Sequence, residues 1–151
     1  MKKNHVKMEY NQITPDIFLG TNMCCTMHYS KLNKIGLVAD LSLEKEQHEH
    51  PKDLVYYLLL PVTDKFPPSL KQLRVGVKFI ERVVLNKNKV YIHCKFGHGR
   101  SPTMLVAYFI AQGMGIDEAV ALIKGRRPEI HLNQRQIKAL QQYKKSLQVQ
   151  L

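Results

Sequence analysis

Short apolar runs alternate along the chain with segments whose apolar positions repeat every three or four residues. Runs that stay apolar on consecutive positions are typical of strands covered on both faces of a sheet. The pattern therefore predicts four buried strands that are separated or followed by helices. The apolar runs, rich in Val, Ile, Leu and Tyr, lie at 17–20, 36–43, 54–62 and 89–94.

The helical segments carry start and stop signals of their own. Ser69 and Asn133 are residue types that cap helix N-termini. Pro102 lies in the first turn of a predicted helix and Gly113 lies just past its end. These positions match the usual preference for Pro at helix starts and for Gly at helix ends. The segment between them is apolar nearly all round, which predicts a buried central helix. The predicted helices span 69–85, 101–113, 116–125 and 133–147.

Alternating strands and helices predict an α/β fold with one central, mainly parallel sheet of about four to five strands, flanked by helices. A chain of 151 residues fits one domain, which we expect to span 1–151 with a flexible N-terminus at 1–9. In parallel sheets the ligand crevice lies at the carboxyl ends of the strands. Candidate functional residues are therefore expected directly after the strands.

The chain is strongly basic, with 23 Lys and Arg against 12 Asp and Glu, a net charge of +11. Such an excess suits nucleic acid, an anionic membrane surface or small acidic substrates, and it is equally compatible with a basic surface that has no specific partner. Aromatic and basic residues do not interleave as single-stranded nucleic acid would require. We therefore expect no stable nucleic-acid partner.

The cysteine count indicates a reducing compartment. Three cysteines, two of them adjacent at Cys24 and Cys25, do not form a disulfide framework. The basic start has no apolar run behind it, so no secretory signal is predicted. The longest apolar runs, 54–62 and 104–111, are shorter than the ~20 residues of a membrane helix. We expect a cytoplasmic protein.

The segment HCKFGHGRS at 93–101 ends the last predicted strand and opens the central helix. A glycine-containing loop at this position presents backbone N–H groups to an anion, assisted by the positive end of the helix dipole. Gly97 and Gly99 can adopt positive φ angles, and Arg100 can bind two phosphate oxygens at once. The same field favours the thiolate of Cys94, a nucleophile. The predicted phosphate-binding residues are Lys95, Phe96, Gly97, His98, Gly99 and Arg100.

The segment has two other interpretations. A lone cysteine is usually a buried structural residue. A metal site could use His93, Cys94 and His98, but adjacent strand residues point to opposite faces, and no second Cys or His cluster completes a ligand shell. We therefore expect neither a metal nor a cofactor.

HCKFGHGRS matches the HCxxGxxR[ST] signature of the cysteine-based protein phosphatases. The resemblance extends over roughly residues 10 to 145. YNQITPDIFLG at 10–20 is similar to the first strand of the small dual-specificity phosphatases, and KGRRPEIHLNQRQIKAL at 124–140 is similar to their closing helix pair. The resemblance implies a phosphate-binding loop between the last strand and a buried helix. It also implies hydrolysis through a phosphocysteine intermediate, without a metal.

Carried onto this sequence, the resemblance implies that Cys94 is the nucleophile and that Arg100 binds phosphate and stabilises the transition state. It implies that Ser101 donates a hydrogen bond to the sulfur, although this hydroxyl could cap the helix instead, or do both. His93 is expected to support the loop. Asp64, 30 positions before Cys94 in a proline-flanked loop, is the expected general acid. Asp53 is a poorer candidate because it precedes its strand.

Several residues keep two interpretations. Gln136 could position the attacking water, or it could form a capping box with Asn133. Arg126 and Arg127 could rim the pocket or end a solvated helix. Cys24 or Cys25 could protect an oxidised Cys94 as a disulfide partner, or could simply pack in a loop.

The substrate class has more than one candidate. The main expectation is a dual-specificity-like phosphatase acting on phosphotyrosine, phosphoserine and phosphothreonine. Lys95 and the segment VADLSLE at 38–44 resemble phosphatases of phosphoinositides or phosphatidylglycerophosphate, although those enzymes usually carry a small residue where this chain has Phe96. A non-catalytic phosphate-binding module and a phosphatase of RNA 5′-triphosphate or inositol polyphosphates are further alternatives. Expected partners are a phosphorylated protein or an anionic phospholipid, with peripheral membrane contact, and the expected state is a monomer.

Overall fold

The computed structural model describes residues 9–22, 32–46 and 54–148. Five strands and four long helices make up this part of the chain. The strands are β1 (Tyr10–Thr14), β2 (Ile17–Gly20), β3 (Leu37–Glu44), β4 (Tyr56–Val62) and β5 (Lys89–His93). The helices are α1 (Leu70–Leu85), α2 (Arg100–Ala111), α3 (Ile116–Arg126) and α4 (Gln134–Gln148).

The strands form one sheet in the order β1-β2-β5-β3-β4. All neighbours are parallel except β1, which pairs antiparallel with β2. The predicted α/β fold with a mainly parallel sheet is therefore confirmed. β5 lies between β2 and β3, so its carboxyl end opens at the middle of the sheet edge. The segment after His93 begins there.

Two expectations about the strands are corrected. The segment 10–20 is a hairpin of two strands rather than one, because Pro15 and Asp16 form a turn that pairs Tyr10 with Gly20. The segment 54–62 is not covered on both faces. β4 is an edge strand, and Tyr56 is 48% exposed although the run is apolar.

α2 is the central helix, as predicted. Eleven of its residues, Arg100 to Ile110, are buried, and the helix packs between the sheet and the other helices. The predicted start signal of α1 and the predicted stop signal of α2 are also confirmed. Ser69 and Gln72 exchange hydrogen bonds in a capping box at the start of α1. Gly113, just past α2, has a φ of 105°.

Some expectations fall outside the described residues, namely those on residues 1–8 and on Cys24, Cys25 and Asp53. Across the ranges that the structure does describe, none of the helices has both the length and the hydropathy needed to span a bilayer.

Candidate active site

Cys94 follows β5 and lies at the base of a loop that leads directly into α2. Its side chain is 3% exposed, and its Sγ is 3.2 Å from Oγ of Ser101. The helix cap is Gly99, which makes no side-chain capping bond. The hydroxyl of Ser101 therefore faces the sulfur instead of capping the helix. Its role as a hydrogen-bond donor to the sulfur stays a prediction.

The two loop glycines meet different constraints. Gly97 has a φ of 67°, and a Cβ there would come within 2.7 Å of the Gly20 backbone. Gly99 has a φ of −129°, so the expectation of a positive φ at this residue is wrong. A Cβ at Gly99 would instead approach Nε2 of Gln136 to 2.9 Å. Crowding by a neighbouring side chain, and not backbone strain, explains why glycine suits position 99.

Arg127 holds the loop from behind. Its side chain is 1% exposed, and it donates from Nε to the carbonyl of Gly97 and from Nη2 to that of Phe96, each at 3.0 Å. A third bond of 2.9 Å joins Nη1 to Oδ1 of Asn11 on β1. Arg127 therefore does not rim the pocket. Arg126 lies in a separate depression beside the β1–β2 turn.

Arg100 is oriented by a residue that sequence reasoning missed, Glu46. Nη2 donates to one carboxylate oxygen of Glu46 at 2.6 Å, and Nη1 donates to the other at 3.2 Å. Nη1 also donates to the carbonyl of Val62 at 2.7 Å. Because a guanidinium has five N–H donors, Nε–H and one N–H of Nη2 remain on the opposite edge. That edge can bind two phosphate oxygens.

The Glu46–Arg100 pair keeps both groups ionised. The hydrogen bond from Arg100 is the main cause that lowers the pKa of Glu46, against the opposing effect of burial. Burial disfavours the charged form of Arg100. The carboxylate of Glu46 and the other acidic groups nearby outweigh this effect and raise the pKa of Arg100.

Asp64 lies at the mouth of the same cavity, in the loop between β4 and α1. Its side chain is 59% exposed, and Oδ1 is 3.8 Å from Nε of Arg100. The loop is fixed from two sides. Lys65 adopts a φ of 70°, and its carbonyl accepts a bond of 2.8 Å from Nδ2 of Asn133. The guanidinium of Arg135 lies 4.8 Å from the ring centroid of Phe66.

His93 lies on the other face of the sheet from Cys94, as its position in the strand predicts. Its Nε2 is 2.9 Å from Oδ2 of Asp40, and both side chains are fully buried. The ring stacks against Tyr91, with centroids 5.2 Å apart. Burial raises the pKa of Asp40, and His93 offsets this only in part. The role of His93 in supporting the loop stays a prediction, and Asp40 is its structural partner.

Gln136 forms the predicted capping box with Asn133, because each side chain accepts a 3.0 Å bond from the other residue's backbone N–H. Gln136 also lines the cavity. The capping interpretation is confirmed, while its role in positioning water stays a prediction.

The cavity above Cys94 has a volume of about 340 Å³. Cys94, Asp64, Arg100 and Gln136 line it, and the remaining wall contains Lys65, Phe96, His98, Gly99, His131 and Asn133. The loop residue Lys95 is not part of this wall. Its Nζ lies 5.3 Å from the ring centroid of Phe96.

One sequence signal could have identified Glu46. It lies two residues beyond β3, at the same edge of the sheet as Cys94 and Asp64. Parallel strands bring their carboxyl ends together, so an acidic residue at that position was a candidate partner for Arg100.

Known proteins are similar to this chain in sequence and in fold. The catalytic-domain family of the dual specificity phosphatases matches residues 17–146. Tyrosine-protein phosphatase vhp-1 of Caenorhabditis elegans is 30% identical over 80% of this chain and 19% of its own length. Phosphatidylglycerophosphate phosphatase PTPMT2 of Arabidopsis thaliana is 27% identical over 75% of this chain and 53% of its own length.

A solved structure of PTPMT1 in complex with PI(5)P has a similar fold, with a TM-score of 0.83 and 24% identity over 93% of this chain and 97% of that one. The chain spans only part of the length of the two curated relatives, 19% and 53%. The family match nevertheless covers most of the chain, including the Cys94 loop and the Asp64 loop. The chain therefore belongs to the catalytic-domain family of the dual specificity phosphatases.

Proposed function

We propose that the protein hydrolyses phosphomonoesters through a phosphocysteine intermediate, as a dual-specificity-like phosphatase of phosphotyrosine, phosphoserine and phosphothreonine. The observation that carries the proposal is the arrangement around the sulfur. Cys94 lies 3.2 Å from the Ser101 hydroxyl, in a cavity that Arg100 and Asp64 also line. The side chains proposed as nucleophile, phosphate-binding group and acid therefore line one cavity, which supports the proposal.

In the first step the thiolate of Cys94 attacks phosphorus. The S–P bond forms, the P–O bond to the leaving group breaks, and Asp64 transfers its proton to the departing oxygen. Arg100 and the loop N–H groups bind the equatorial oxygens, where charge is concentrated. Glu46 holds the guanidinium in place, so little reorganisation is needed when the phosphate binds.

In the second step water attacks the phosphocysteine. Asp64, now ionised, accepts a proton from the water. The S–P bond breaks and the sulfur leaves as thiolate, stabilised by the hydrogen bond from Ser101. Gln136 lines the cavity where this water would lie. Free phosphate and the starting enzyme result.

A phospholipid with a phosphomonoester headgroup is the second candidate substrate. The observation in its favour is a pair of half-exposed phenylalanines, Phe96 at 46% in the cavity wall and Phe66 at 47% in the loop that carries Asp64. Each has a cation against its ring, Arg135 and Lys95 respectively. Apolar rings beside cations suit the interface of an anionic membrane. The named activity of PTPMT2 supports the same candidate.

The cytoplasmic location stays a prediction from the cysteine content.

The experiment is hydrolysis of an aryl phosphate by the wild type and by Cys94→Ser and Ser101→Ala. Cys94→Ser is expected to lose essentially all turnover while it still binds phosphate. Ser101→Ala is expected to accumulate phosphocysteine, detected as an added phosphate by mass spectrometry of rapidly quenched samples. Turnover by Cys94→Ser above a few per cent of the wild-type rate would show that Cys94 is not the nucleophile.

A further inference from the structure

The edge strand β4 lacks the features that usually protect such an edge. Proteins block exposed strand edges with charged side chains, with prolines or by keeping the strand short. The run 54–62 contains no charged residue, and its proline, Pro61, lies near the end of the strand. The stretch from Tyr56 to Leu60 therefore presents an unblocked edge. The exposed side chains along it are apolar: Val55, Tyr56 and Leu59.

The backbone of β4 also has hydrogen-bonding groups on its outer side. Among the described strands β3 is its one neighbour, and the N–H of Val55 donates to the carbonyl of Val38 on β3 at 3.0 Å. Because successive residues of a strand point their N–H and C=O groups to opposite sides, those of Tyr56 and Leu58 point away from β3. Such a row of donors and acceptors can pair with one more extended segment.

One side of α1 faces this strand. Gln72 donates from Nε2 to the carbonyl of Pro61 at 2.9 Å, and a Cβ at Gly76 would lie 3.3 Å from Cδ1 of Leu60. On the inner side of these two helix positions lies the buried core. The row on their outer side follows the three- and four-residue spacing of one helix face. It is exposed and consists of Lys71, Val75, Lys78 and Arg82.

The charges of this row are not neutralised by neighbouring elements. Within the described ranges, Lys71 and Arg82 form no ion pair. Lys78 has Glu81 at 3.5 Å, on the same helix, and such exposed pairs are weak. An apolar strand edge with unused backbone groups is thus bordered by three available cations.

We propose that the edge of β4 and the basic row of α1 bind an acidic, extended segment of a partner protein, which adds to the sheet as a further strand. The backbone of the segment pairs with β4. Its acidic side chains face α1, and the alternate ones contact Leu59 on the other face of the sheet. The surface lies outside the cavity above Cys94, so the inference goes beyond the proposed phosphatase function.

A second copy of the chain fits this edge less well. Two β4 strands that pair about a two-fold axis form one continuous sheet with both α1 helices on the same face. The two basic rows then lie side by side, and like charges repel. A lipid surface would match the charge of the row but provides no N–H and C=O groups for the strand edge. An acidic segment satisfies both requirements.

The probe is a fluorescent peptide of the length of β4 in which Glu and Val alternate, and anisotropy at about 0.15 M salt measures its affinity. The variant with Lys71→Gln, Lys78→Gln and Arg82→Gln is expected to bind it about eightfold more weakly, roughly twofold for each exposed ion pair. The matched control removes three exposed charges from α4, with Lys138→Gln, Lys144→Gln and Lys145→Gln. It should keep the wild-type affinity.

Two results of this comparison would overturn the docking surface. One is the absence of binding to the wild type. The other is equal weakening by the α1 and α4 variants, because that is attraction to a basic protein as a whole. Binding is measured without turnover, and the α1 variant should hydrolyse aryl phosphate at the wild-type rate. Failure of the docking surface therefore leaves the proposed function untouched.

Backbone pairing is tested with two N-methylated forms of the peptide, one methylated at every Glu and the other at every Val. A segment that pairs along one edge uses only one of these two sets of N–H groups. One form should therefore bind like the parent peptide, and the other should lose binding. Equal affinities of the two forms, whether high or low, would overturn strand addition.

The two other occupants have their own readouts. A dimer of the protein in sedimentation, combined with no binding of the peptide, would refute the inference and assign the edge to a second copy. Binding to phosphatidylserine vesicles that the α1 variant loses, again without binding of the peptide, would refute it and assign the basic row to an anionic membrane.

Discussion

Arg127 donates from Nε to the carbonyl of Gly97 at 3.0 Å, from the side of the loop away from the cavity. In a trans peptide the C=O and the following N–H point in opposite directions. By holding the carbonyls of Phe96 and Gly97, Arg127 therefore turns the N–H groups of Gly97 and His98 toward the Cys94 side. A residue outside the cavity thus orients donors inside it.

Arg127→Lys is expected to weaken phosphate binding and lower kcat/KM, because one ammonium cannot reach both carbonyls and Asn11 at once. The free energy of unfolding is expected to fall by about 1–3 kcal/mol for a buried carbonyl left without a partner. Urea denaturation and inhibition by inorganic phosphate measure the two effects. Arg126→Lys is the matched control, since its side chain lies in another depression. Equal behaviour of the two variants would contradict the role of Arg127.

Glu46→Gln is expected to lower kcat/KM by about tenfold or more, because a neutral amide holds the Arg100 guanidinium less firmly than a carboxylate. Since Arg100 lowers the pKa of Glu46, the carboxylate stays ionised throughout the assay range, so the loss should not depend on pH above about 5. Steady-state kinetics at several pH values measure it, with Glu118→Gln as a surface control. An unchanged kcat/KM would show that Val62 alone suffices to orient Arg100.

Asp64→Asn is expected to discriminate between leaving groups. An alkyl phosphate needs its leaving oxygen protonated, so its hydrolysis should slow by roughly 10²–10⁴-fold. A phosphate ester of a strongly acidic phenol leaves as a stable anion and should slow far less. Parallel kcat/KM measurements on the two substrates provide the comparison. Equal slowing would assign Asp64 to the loop or to substrate binding instead of proton transfer.

Three glycine-to-alanine variants separate strain from crowding. Gly97→Ala should destabilise most, because φ is 67° and the Cβ would approach the Gly20 backbone to 2.7 Å. Gly99→Ala should leave stability closer to wild type but displace the amide of Gln136, and so lower kcat. Gly125→Ala, on α3 with no atom within 4 Å of its Cβ, should stabilise by about 0.5–1 kcal/mol. Thermal unfolding ranks the three, and any other order would contradict the packing argument.

The buried pair of Asp40 and His93 predicts a pH dependence of stability. Burial raises the pKa of Asp40. A carboxyl whose pKa is higher in the folded state contributes stability that is present below its ordinary value of about 3.9 and is lost as pH rises through the raised value. Asp40→Asn removes this contribution and keeps an oxygen that can accept from His93. The free energy of unfolding of the Asp40→Asn variant should therefore fall less than that of the wild type as pH rises from about 4 to 7.

Urea denaturation across this pH range measures the difference, with Asp117→Asn on the exposed face of α3 as the control. Curves for Asp40→Asn and wild type that stay parallel would mean that the carboxyl of Asp40 does not titrate differently in the folded protein.

The helices, most strands and the loop after β5 could be predicted from the amino-acid sequence alone. Helices and caps follow from local patterns such as Ser69 with Gln72, and the spacing of Cys94, Arg100 and Ser101 lies within one short segment. Local chemistry suffices there because the groups that interact are close along the chain.

The distant residues that complete the site could not be predicted, because tertiary packing brings them together. Glu46 reaches Arg100, and Arg127 reaches Gly97, across 54 and 30 positions. No local pattern encodes these contacts. The first depends on the strand order that places β3 beside β5, and the second on the packing of Arg127, the residue after α3, against the loop. The exposure of Tyr56 on β4 has the same origin. An apolar run has the same composition at the edge of a sheet as at its centre, and only the packing of its neighbours distinguishes the two.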